Sequence, residues 1–108
     1  MLLSISVDLD EIHHYYRIHG FDAAEAVSAV YSRAVPRLSD WAKQRGMPLT
    51  WFVVGQDLQL AANAEAATRL AAGGDELGCH SFSHFYDLTR RTFSEMERDV
   101  QRGVTAIR

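Results

Sequence analysis

Leu49-Thr50-Trp51-Phe52-Val53-Val54 is the stretch on which the fold turns. It is β-branched and aromatic, and it is bounded by Pro48 and Gly55. A short apolar run between chain breakers reads as a buried strand, and a strand apolar at consecutive positions belongs in a sheet covered on both faces. Downstream, Asn63 is placed to cap a helix from Ala64 to Ala72 that Gly73-Gly74 closes. Glu76 to Cys79 follows as a short strand and Ser81 to Arg91 as a loop. Thr92-Phe93-Ser94-Glu95 is a capping box that opens a last helix toward Arg108. Upstream, Leu2 to Leu9 alternates, with Leu3, Ile5, Val7 and Leu9 on one parity and Ser4, Ser6 and Asp8 on the other, which predicts a strand. Asp10 to Gly20 reads as a loop rich in His and Tyr. Asp22 and Glu25 form a second box-like start for a helix from Ala23 to Arg33. Pro36 interrupts that helix and suits the first turn of a further piece ending at Arg45, with Gly46 as its stop. The order is β-α-β-α-β-α, an α/β class with parallel strands joined by helical crossovers.

The chain has 108 residues, which allows one domain spanning 1–108. With 11 Lys+Arg against 14 Asp+Glu it builds no large positive field, so neither nucleic acid nor an anionic membrane is an expected partner. Hydrophobic residues make up 47%, enough to exclude a disordered chain. Cys79 is the single cysteine, so no disulfide framework is expected. No apolar run has the roughly 18 residues a membrane span needs. The start, Met1 to Asp8, lacks the basic leader of a signal peptide, which makes the cytoplasm the parsimonious compartment.

In parallel α/β architecture chemistry gathers at the C-terminal ends of strands. The first strand supplies Asp8 and Asp10 there; the third supplies His80 and, four residues on, His84. His, His and Asp suit a divalent cation such as zinc, and three protein ligands leave a position open for water or substrate. A second carboxylate nearby can take a proton from water. The sharp reading is that Asp10, His80 and His84 bind the metal and Asp8 is the catalytic base. Each half alone has a bland reading: H-x-x-x-H is also what two unrelated surface histidines look like, and D-x-D also caps turns. Their joint placement at successive strand ends favours the sharp one.

Those residues carry a resemblance. Gly74-Asp75-Glu76-Leu77-Gly78-Cys79-His80-Ser81-Phe82-Ser83-His84 resembles the second motif of the polysaccharide deacetylases, carbohydrate esterase family 4, G-(H/D)-E-(I/L)-(G/A)-N-H-(S/T)-x-x-H. Thr50-Trp51-Phe52-Val53-Val54-Gly55 resembles the family's strand signature T-x-F-x-x-G, and Ser6-Val7-Asp8-Leu9-Asp10 resembles its first motif, T-F-D-D, with one residue inserted between the aspartates. The resemblance implies part of a distorted (β/α) barrel, usually of seven strands. It implies a metal-dependent hydrolase that removes acyl groups, mostly N-acetyl, from an amino sugar or polysaccharide. By position it makes Asp8 the base and Asp10, His80 and His84 the metal ligands. The family's third motif, an Arg-Pro-rich segment, and the later segments that carry its acid histidine and a wall of its groove have no counterpart up to Arg108. The expectation is therefore the N-terminal part of a deacetylase: inactive alone, and a homo-oligomer or the partner of a complementary chain. The other function class is a non-enzymatic binding or assembly domain derived from such a half, which the retained ligand set disfavours.

Tyr15 and Tyr16, among His13, His14 and His19, are candidates for stacking on a sugar, and a histidine there can hold a second metal; equally, the loop can simply pack its tyrosines on the rim. Trp41, at helical spacing from Leu38 and Arg45, is expected in the core. Trp51 and Phe52 alternate, so one faces the helices and the other the barrel interior. Cys79 reads as a small buried strand residue, Asp87 as a partner that orients a ligand histidine, and Arg90-Arg91 as a solvated charge pair.

Overall fold

The computed structural model describes residues 1–22 and 28–108. Three strands, β1 (Ser6–Leu9), β2 (Thr50–Val53) and β3 (Glu76–Cys79), form one parallel sheet in the order β1-β2-β3. The run read first is thus the central strand. Ser6, Thr50 and Glu76 lie in register, as do Leu9, Val53 and Cys79. This puts the C-terminal ends of all three strands side by side.

Because side chains alternate along a strand, Val7, Leu9, Trp51, Val53 and Leu77 share one face. That face packs on Tyr31, Val35, Ala42, Ala66 and Leu70 of the helical layer. Trp51 is buried there, and its indole Nε1 donates to Asp75 Oδ2 at 2.9 Å. The other face carries Ser6, Asp8, Thr50, Phe52, Glu76 and Gly78. Phe52 lies over Gly78, where a Cβ would come within 2.6 Å of its ring. Trp51 therefore takes the helix side and Phe52 the open side, as the alternation requires.

Helix α1 (Ile12–Ile18) occupies the segment expected to be a loop. Glu11 explains the difference: its carboxylate accepts from Ile12 N at 3.0 Å and also from Val30 N at 3.1 Å, tying the first turn to a later part of the chain. The proposed capping box at Asp22 and Glu25 falls partly on residues 23–27, outside the described residues, as does the start of its helix. A π-helical turn, Val30–Ala34, leads into α2 (Val35–Lys43), with Pro36 in its first turn and Gly46 at φ +64° beyond its end. Helix α3 (Ala61–Ala72) begins before Asn63, which is not its cap. Asn63 is buried instead, donating to the Asp57 carbonyl at 3.0 Å and accepting from Ser28 Oγ at 2.6 Å. The capping box of α4 (Phe93–Ala106) is present as read, with Thr92 and Glu95 bonding reciprocally. Trp41 is 45% exposed rather than in the core, and Arg45 stacks 4.4 Å above its ring. Among the described residues no helix is long and apolar enough to cross a membrane.

Candidate metal centre

Asp10 and His80 are the residues immediately after β1 and β3, so the register that aligns the strand ends also aligns these two side chains. His80 Nε2 lies 3.3 Å from Asp10 Oδ1, and His84 Nε2 lies 3.4 Å from Asp10 Oδ2. Neither contact has hydrogen-bonding geometry: Asp10 Oδ1 is buried with no hydrogen-bond partner among the described residues. Tyr15 Oη donates to Oδ2 at 3.2 Å. A buried carboxylate oxygen without a donor is costly. Imidazole nitrogens that approach the two oxygens of this carboxylate without bonding them are placed as co-ligands of a shared cation. Tetrahedral zinc with bonds of about 2.0–2.1 Å would set its ligand atoms about 3.4 Å apart; the two nitrogen–oxygen separations are 3.3 and 3.4 Å, and the three donor atoms lie within 4.8 Å of one another. The donor set therefore fits a divalent metal. Burial lowers the His84 pKa, outweighing the Asp10 carboxylate that raises it, and the His14 and His80 rings lower it further. The imidazole is thereby kept in the neutral form that ligates. Asp10 foremost, with burial, raises the Tyr15 pKa, so its hydroxyl stays a donor.

A second group, His13, His14 and Asp57, lies beside the first, the His14 and His84 rings being 5.1 Å apart. Its chemistry differs. His14 Nε2 is 2.8 Å from Asp57 Oδ1, a hydrogen bond between two fully buried side chains. Its Nδ1 faces Arg17 Nη2 at 3.4 Å. A guanidinium only donates, so Nδ1 accepts and Nε2 carries the proton that goes to Asp57. A metal-bound histidine shows the reverse pattern, donating from its second nitrogen. The pair is a His–Asp dyad, and Asp57 Oδ2 further accepts from Glu11 N at 3.0 Å. Burial, then the His14 ring, lowers the pKa of His13, whose Nε2 is 3.5 Å from Asp57 Oδ1.

Asp8 stands on β1 two residues before Asp10, on the open face and exposed. Tyr15 is brought to the metal group through Asp10. Tyr16, 38% exposed, makes no side-chain hydrogen bond among the described residues. His19 is exposed beside Phe21. Cys79 is half-buried against α4, its Sγ 3.9 Å from the Val100 carbonyl. Asp87 does not reach a histidine: it accepts from Arg91 at 3.1 Å, and that guanidinium lies over Phe85. The sequence reading missed Tyr86, whose ring meets His84 edge-on at 5.9 Å, and the buried carboxylates Glu11, Asp57 and Asp99. Asp57 had a signal: it stands just past the C-terminal end of the central strand, where such sheets gather their chemistry.

No curated protein matches the chain. The model of the family described as polysaccharide deacetylase matches residues 20–108, a span that includes β2, β3, His80 and His84 and begins after Asp8, Asp10, Tyr15 and Tyr16. With that match over most of its length, and with two of the three motif segments inside it, this chain belongs to the polysaccharide deacetylase family.

Proposed function

We propose that the chain carries the metal-binding half of a hydrolase that removes acyl groups, N-acetyl above all, from an amino sugar or polysaccharide. The observation that carries the reading is the convergence of His80 and His84 on the two oxygens of the Asp10 carboxylate, one of which is buried with no hydrogen-bond partner among the described residues. A divalent cation held there, zinc in this reading, supplies Lewis-acid polarisation of an amide carbonyl. Asp8, exposed on the same face of the sheet, takes the proton from the attacking water. Tyr15 holds Asp10 Oδ2 and so fixes the carboxylate's orientation. Tyr15 and Tyr16 offer exposed rings at the rim for a sugar face. The open face of the sheet, with Asp8, Thr50 and Phe52, is the interior of a distorted seven-stranded (β/α) barrel of which these strands are part.

Elemental analysis of the purified protein tests the metal. One equivalent of zinc is expected, lost in His80→Ala; unchanged stoichiometry in that variant overturns the assignment. Acetate release from a chito-oligosaccharide by the zinc-loaded protein in its active form tests the substrate class, and cleavage of simple esters with no amide hydrolysis would replace it.

A further inference from the structure

We infer that Asp99, with Arg17, is a positioning residue for the ligand His84, holding the segment 81–84 in a backbone conformation it would not adopt alone. The inference rests on the metal reading above. Ser81 has φ +61° and His84 φ +50°. Side-chain-bearing residues avoid this left-handed region, and two of them within four positions persist only where the surroundings over-determine them.

The surroundings do so. The Ser81 carbonyl accepts from Gly55 N at 3.0 Å and the Phe82 carbonyl from Gln56 N at 2.8 Å, fastening the segment to the turn after β2. On the other side Asp99 is buried on α4, and its two carboxylate oxygens accept from Phe82 N and Ser83 N, each at 3.1 Å. Arg17 on α1 donates to the Ser83 carbonyl at 3.0 Å. Ser81 Oγ accepts from His84 N at 3.1 Å. Gly103, one turn beyond Asp99, lets α4 approach closely enough for this: a Cβ there would lie 2.8 Å from the Ser81 backbone. The charged carboxylate is the strongest of these acceptors. It sits directly behind the amides that set the direction in which His84 leaves the backbone. A ligand arm held in this way presents its nitrogen to the cation without further ordering, which raises affinity.

The test is zinc affinity by competition with a chromogenic chelator, together with the visible spectrum of the cobalt(II)-loaded protein. In Asp99→Asn one oxygen becomes an amide nitrogen facing an N–H. The affinity is expected to fall about 10–100-fold, the range for losing a partner behind a ligand, with an altered cobalt band. Arg17→Met, at an exposed position, is expected to lose less in the same direction. Leu70→Ala on the far face of the sheet lowers the melting temperature but leaves affinity and spectrum unchanged, separating positioning from general stability. Wild-type affinity and spectrum in both Asp99→Asn and Arg17→Met overturn the inference while leaving the metal reading intact. If Asp99→Asn does not fold, Arg17→Met alone decides. A wild-type chain that binds no zinc overturns the metal reading and this inference with it.

Discussion

At Asp10 one carboxylate oxygen receives a tyrosine hydroxyl and the other is buried with no donor among the described residues. An arrangement that leaves a buried anionic oxygen bare is stable when a cation completes it. Two substitutions separate the neighbours. On the proposed roles Asp8→Asn removes a proton acceptor but no ligand, so in a complete, active parent protein turnover is expected to fall about 10²–10⁴-fold with the zinc content unchanged. Loss of zinc in that variant would exchange the roles of Asp8 and Asp10. Tyr15→Phe removes the donor to Oδ2 and is expected to weaken zinc binding by about tenfold or more, measured by chelator competition. The candidate ligands could be picked out in the sequence because Asp10 and His80 directly follow strands, with His84 four residues on, and strand ends converge in parallel sheets. The dyad was not, because His14 and Asp57 are 43 positions apart and nothing local to either betrays the partner.

The elements follow local chemistry where the signal is local. The Thr92–Glu95 box is complete within four residues, and it formed as read. Its hydrogen bonds from Thr92 lower the Glu95 pKa. A carboxyl whose folded pKa is depressed stabilises the fold above its unfolded value, about 4.3, and loses that contribution as pH falls through the folded value. The stabilities of wild type and Glu95→Gln, read by chemical denaturation, are therefore expected to differ at pH 7 and to converge in acid as pH falls through the depressed folded value. Thr92→Ala is expected to cost about 1 kcal/mol at neutral pH. Gly103→Ala tests the opposite case. Helix propensity alone favours Ala by about 1 kcal/mol, but the added Cβ would sit 2.6 Å from Cys79 Sγ and 2.8 Å from Ser81 backbone atoms. Overpacking of about 1–3 kcal/mol is expected to win, giving a lower melting temperature. Helix α1 was misread as a loop because the Glu11 contacts that tie its start to Val30 lie outside any local window.

At the scale of the whole molecule the sheet has two unlike faces. The helices cover Leu9, Trp51 and Val53. The Leu49–Val54 run is expected in a sheet covered on both faces; the second face is instead open and mostly polar, with Phe52 as its large apolar member, because Trp51 and Val53 turn to the helices. Among the described residues the outer edges of β1 and β3 carry no further strand. Unpaired edges favour association, so sedimentation velocity is expected to show concentration-dependent self-association of the 108-residue chain. Phe52→Ser should reduce it if the open face takes part, and a monomer at every concentration would show that neither edge nor face is sticky.

By itself the sequence determined the alternation of strand and helix, the strand within the Leu49–Val54 run and the Asp and His residues that follow the first and third strands. Those depend on periodicity, chain breakers and residue chemistry, all of which act over a few positions. Only the tertiary structure decided which face of the sheet stays open, which histidines meet Asp10 and which meet Asp57, and that Asp99 stands behind the segment 81–84. The physical reason is one of range. A strand or a cap is set by neighbours in the chain, whereas a buried carboxylate finds its donors wherever packing brings them, here across separations of 16 to 46 residues.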